Sequence, residues 1–62
     1  MTILKKIRVG ERWFIEGYCD SEETKPTQGI AEGSTLTETD TGKVKMFNVP
    51  ANDWIEQFSL QG

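Results

Sequence analysis

The chain carries a single cysteine, Cys19, and no histidine in its 62 residues. No intrachain disulfide can form, and one thiol without imidazole leaves a conventional zinc site short of ligands. Domains of this size bury only ~60% of the surface that their unfolded chains expose, and they usually lean on a disulfide, a metal or a partner subunit. With the first two excluded, the sequence points to association with copies of itself or with a larger assembly, unless the core is unusually good. The lone thiol suits synthesis in a reducing cytosol.

Hydrophobic residues make up 35% of the chain, and six glycines bring it close to the ~45–50% apolar share of ordinary domains, so a folded chain is expected. Net charge is −3 but unevenly spread. Residues 1–12 hold Lys5, Lys6, Arg8 and Arg12 against Glu11 alone, whereas the rest holds three lysines against nine carboxylates. Contacts between copies could use that asymmetry. A pI near 4.7 argues against direct nucleic-acid binding, which normally needs a basic stripe. The longest apolar run is Trp13–Ile15, too short for a signal-peptide core or a membrane span.

The pattern predicts one small all-β domain over 1–62: an antiparallel sheet of four to five short strands, built as hairpins. Residues 2–18 form the first hairpin, 19–34 a long polar loop, and 35–60 a second hairpin plus a last strand. In the first block Ile3, Ile7 and Val9 share a strand parity, and Gly10-Glu11 reads as a turn. Trp13 and Ile15 then alternate with Phe14, Glu16 and Tyr18. In the loop only Ile30 and Ala31 are clear burial candidates, and Gln28–Gly33 can form a turn that docks Ile30 on the sheet.

In the second block, Asp40, Thr41 and Gly42 form the hairpin turn. A three-residue loop places Leu36 opposite Met46 and Glu38 opposite Val44. A two-residue loop instead pairs Glu38 with Lys45 and Asp40 with Lys43. The first gathers the apolar side chains on one face and is preferred, because burial sets register more strongly than surface charge. After a turn at Pro50–Asp53, a last strand shows Trp54, Glu56, Phe58 and Leu60 on one face. A capped helix starting at Asp53 is the rival for that segment.

Candidates for chemistry are few. With no histidine there is no general base near neutral pH, and Ser21, Ser34, Ser59 and Cys19 lack activating partners at a recognisable spacing. Asp20–Glu23 lacks the alternating oxygen ligands of a calcium loop, and the glycines are too scattered for a phosphate loop. No catalytic, cofactor-binding or metal residues are expected, and no enzyme. The aromatic residues are more informative. Trp13 beside Phe14, and Trp54 beside Ile55, put large apolar groups on both faces of the strands, and a thin sheet cannot bury both by itself. Trp13, Phe14, Tyr18, Trp54 and Phe58 are therefore the candidate interface residues, for subunit contacts or for a glycan platform.

The run from Gly33-Ser34 through Thr35-Leu36-Thr37-Glu38-Thr39-Asp40-Thr41-Gly42-Lys43-Val44, followed by Asp53-Trp54-Ile55-Glu56, resembles a pattern in small structural proteins of tailed bacteriophages. There a Gly-Ser leads into a strand ending Glu-x-Asp-Thr-Gly-Lys, and a hydrophobic strand, a turn and a Trp-Val/Ile-Glu strand complete the unit. The resemblance covers about the last 40 residues, with Glu23–Thr27 similar to the loop that precedes it. The chain departs at Lys45-Met46, where the pattern often has an aromatic, and in a longer turn at Val49–Asp53. The resemblance implies a virion component, synthesised in the bacterial cytoplasm: a capsid decoration, head-fibre or tail accessory protein whose partners are its own copies and larger virion proteins. The alternative is a monomeric module that binds a glycan or a host protein.

Overall fold

The computed structural model describes residues 1–59. They form a single five-stranded sheet in the order β1 (Thr2–Val9), β2 (Arg12–Cys19), β3 (Thr35–Glu38), β4 (Lys43–Asn48), β5 (Asp53–Ser59). The expected all-β fold is observed, and 53–59 is strand, not helix. Leu60, assigned by the sequence pattern to the face of Trp54, lies outside the described residues.

All neighbouring pairs are antiparallel except β2 and β3, which run parallel, with Gly17 beside Leu36 and Cys19 beside Glu38. A parallel neighbour requires the chain to travel back the length of the strand, which takes about a dozen residues or more. Residues 20–34 make that return, and they do it as a packed layer. Gly29 and Ile30 run alongside Trp13, whose N–H donates to the Gly29 carbonyl at 2.7 Å and whose carbonyl accepts the Ala31 N–H at 2.8 Å. Ile30 is buried on the sheet, as expected from the sequence.

The core lies between this crossover and one face of the sheet: Ile15, Cys19, Ile30, Leu36, Phe47 and Trp54, with Trp13 and Val49 against it. Phe47 and Trp54 meet edge to face with centroids 5.3 Å apart. The Trp54 indole N–H donates to the Pro26 carbonyl at 2.8 Å, which fixes the crossover over the far end of the sheet. At the β1–β2 turn, Gly10 takes φ +61, the left-handed angle that a two-residue hairpin with glycine first requires. Gly42 does the same at φ +75 in the β3–β4 turn, its N–H donating to the Glu38 carbonyl at 2.7 Å.

Three details differ from the sequence expectation. The β3–β4 hairpin pairs Leu36 with Lys45 and Thr37 with Val44, a register that leaves a longer loop than either expected one, Thr39–Gly42. Gathering Leu36, Val44 and Met46 on one side assumed a single apolar face, and the sheet has two: Leu36 and Phe47 face the crossover, Val44 and Met46 face away. Second, Leu4 is an extra residue in β1 between the pairs Ile3–Gly17 and Lys5–Glu16, so Ile3 faces the crossover side while Ile7 and Val9 face away. Third, Gln57 is extra in β5 between the pairs Val44–Phe58 and Lys45–Glu56, which turns Phe58 away from the face of Trp54.

Candidate interaction surface

The face opposite the crossover has no second layer among the described residues. Strand pairing sets Ile7 beside Phe14 on one flank, and Val44 beside Phe58 and Met46 beside Ile55 on the other. Tyr18 closes one end of this face opposite Thr2, and Thr35 and Thr37 fill its centre. Ile7, Val9, Tyr18, Ile55 and Phe58 are each more than 40% exposed, with Phe58 at 55%. A sheet face this apolar is unusual when left to water.

The five aromatic candidates divide between the two faces. Phe14, Tyr18 and Phe58 stand on the open one. Trp54 is buried in the chain's own core, and Trp13 is half-buried against it. Trp13 is further covered by cations from β1, with Lys6 Nζ 4.7 Å and the Arg8 guanidinium 5.1 Å from the ring centroid.

Polar groups at the Cys19 end hold the crossover in place. Glu38 is buried, and its Oε2 accepts from Lys25 Nζ at 2.9 Å while Oε1 accepts from the Thr41 hydroxyl at 2.8 Å. The Lys25 hydrogen bond holds the Glu38 carboxyl below its usual range despite its burial. Burial pulls the Lys25 ammonium down, but the Glu38 hydrogen bond and nearby negative charge outweigh it and leave the group raised. Nearby, Asp20, Glu22, Glu23 and Asp40 line a shallow acidic hollow. Two of the four carboxylates are engaged locally: Glu23 pairs with the amino terminus at 2.9 Å and accepts the Asp20 N–H, and Asp40 accepts both the N–H and the hydroxyl of Ser21. No group of three or more candidate metal ligands comes together among the described residues. Cys19 is buried, and burial raises its thiol pKa, which leaves it a poor nucleophile.

Two features were not foreseen from sequence. Ser34 is wholly buried and bonds the backbone of β2, and Lys25 pairs with Glu38 across the chain. A buried serine is visible in the sequence only as a polar residue before a strand, and the ion pair only as two charges 13 apart. No known protein family matches the sequence, and neither a curated protein nor a solved structure is significantly similar to it.

Proposed function

We propose that this chain is a non-enzymatic structural component of a tailed-phage virion, a capsid-decoration or head or tail accessory protein that self-associates and docks on the particle. The observation that carries the reading is the uncovered apolar sheet face bearing Phe14, Tyr18 and Phe58. One crossover can cover only one side of the sheet, and burying the other against a partner recovers ~25 cal/mol for each Å² of apolar surface. The sequence resemblance supplies the setting, and the absence of a histidine or an activated thiol supports a role without catalysis.

The test is mass spectrometry of purified particles from the phage that encodes the chain, with wild type compared against a Tyr18→Ser/Phe58→Ser variant. Wild type should be present at a fixed copy number per particle, and the variant should fold but be lost from particles. A chain absent from particles, or a stable monomer that binds a glycan through the same face, would overturn the proposal in favour of a ligand-binding module.

A further inference from the structure

Among the described residues the sheet has two unpaired edges, β1 and β5, and they carry opposite charge. β1 holds Lys5, Lys6 and Arg8 with no carboxylate, and β5 holds Asp53 and Glu56 with no cation. Charges and bulges on an edge strand ordinarily prevent edge-to-edge pairing. Here the charges oppose pairing of either edge with its own kind, while favouring pairing of one with the other.

Strand direction agrees. The steps from β1 to β5 are antiparallel, parallel, antiparallel and antiparallel, so β5 runs opposite to β1. A second copy set beside the first in the same orientation therefore offers its β1 antiparallel to β5, with crossover faces on the same side. We propose that copies of this chain join head to tail by antiparallel pairing of β5 in one copy with β1 of the next. This deepens the self-association reading above and rests on it.

The two strands also specify a register. Lys6 and Glu56 lie on the crossover side, opposite Ile15 and Lys45, while Ile7 and Ile55 lie on the open face, opposite Phe14 and Met46. Setting Lys6 against Glu56 brings Ile7 against Ile55. Farther along, Leu4 is the extra residue of β1 and Gln57 the extra residue of β5. Both extra residues fall between the same paired positions, so position 59 of one copy and position 3 of the next meet in step. Sliding by two residues to set Arg8 against Glu56 puts the bulges out of step, with Lys6 against Phe58 from the other face. Glu56 also has Lys43 at 3.5 Å and Lys45 at 4.0 Å, yet its half-exposed side chain has room for a cation from the far side. Such head-to-tail pairing closes into a ring or extends as a filament according to the rotation between copies, and it leaves every open apolar face on one side.

The test is light scattering behind a sizing column over a dilution series, with Lys6→Glu, Glu56→Lys and their equimolar mixture compared with wild type. Each single reversal sets like charges opposite one another and should weaken association roughly tenfold. In the mixture the two variants alternate, so that one junction sets two native side chains together and the next sets the two substituted ones together. Opposite charges then meet at every junction, and the mixture should assemble nearly as wild type does. Circular dichroism of each variant checks that the fold survives, and rescue on mixing cannot come from misfolded chains. An Ile7→Cys/Ile55→Cys variant should give a ladder of disulfide-linked multimers on a non-reducing gel. Wild type that assembles indifferently to both reversals, with no ladder, would overturn the edge pairing but keep self-association. Wild type that stays monomeric throughout would overturn both.

Discussion

Ser34→Ala should destabilise the chain far more than its position at the end of a polar loop suggests. The side chain is wholly buried at the entry to β3. Its hydroxyl accepts the Ile15 N–H at 3.0 Å and donates to the Ala31 carbonyl at 2.9 Å. The Ala31 carbonyl keeps a second partner in the Ser34 N–H at 3.3 Å. Ile15 is a core residue whose N–H faces Ser34, so alanine strands that donor where water does not reach. Leaving a buried donor unsatisfied costs ~1–3 kcal/mol. At ~0.05–0.15 kcal/mol per residue, a chain of this length has roughly 3–9 kcal/mol in total. A loss of about 2 kcal/mol is therefore a large share, equivalent to a fall in Tm of roughly 8–16 °C for a domain this small.

Urea unfolding followed by tryptophan fluorescence measures the loss, since Trp54 moves from core to solvent. All variants are compared at one protein concentration, because association adds to apparent stability. Ser21→Ala is the control: Ser21 is exposed, and its hydroxyl reaches only the Asp40 carboxylate. It should change stability by less than ~0.5 kcal/mol. Amide exchange at Ile15 should speed up in Ser34→Ala. A Ser34→Ala protein within about 0.5 kcal/mol of wild type, with an unchanged denaturant slope, would refute the reasoning.

Gly17→Ala should loosen the start of β1, because an added Cβ would lie 2.0 Å from the Thr2 carbonyl oxygen and 3.0 Å from Ile3 Cα. The expected cost is ~1–3 kcal/mol, with amide protection lost at residues 2–4 and kept in β3–β5; uniform protection would count against it. Acid stability should depend on Glu38, whose carboxyl is held below its ordinary 4.5 by the Lys25 hydrogen bond. A depressed carboxyl stabilises the fold fully above its unfolded pKa and loses that contribution as pH falls through the folded value, so stability should drop below about pH 4.5. Glu38→Gln should flatten that acid limb in pH-dependent melts. Lys25 works in the opposite sense: raised above 10.5, it contributes below that pH and loses its contribution as pH rises through the folded value.

What the sequence made legible was local. The alternation of Trp13 and Ile15 with Phe14 and Tyr18 placed β2, Asp40-Thr41-Gly42 placed a turn, and an apolar Ile30 in a polar stretch marked a docking point. What it hid was relational. Leu4 and Gln57 look like ordinary strand residues, yet each is a bulge that reverses the side of its neighbours, separating Ile3 from Ile7 and Phe58 from Trp54. Period-two counting cannot see an inserted residue. Nor does composition tell a parallel return from a hairpin when the connecting segment is long enough for either. The candidate interface was half legible for the same reason: five aromatics were visible, but only the strand faces show that Trp13 and Trp54 turn inward and Phe14, Tyr18 and Phe58 outward.

The parallel step between β2 and β3 links these observations. An all-antiparallel meander of five strands would have needed only short turns and would have left no chain for a covering layer. By sending residues 20–34 back across the sheet, the chain gives Leu36, Phe47 and Trp54 a dry side without an intrachain disulfide. The same step sets β5 opposite in direction to β1, since a single parallel pair in a five-strand series reverses the sense of the last strand. An all-antiparallel series would leave β1 and β5 pointing the same way, and copies in one orientation could then pair only in parallel. The crossover that supplies the core is thus also what makes the two charged edges complementary in direction, and the proposed assembly uses both consequences of one connection.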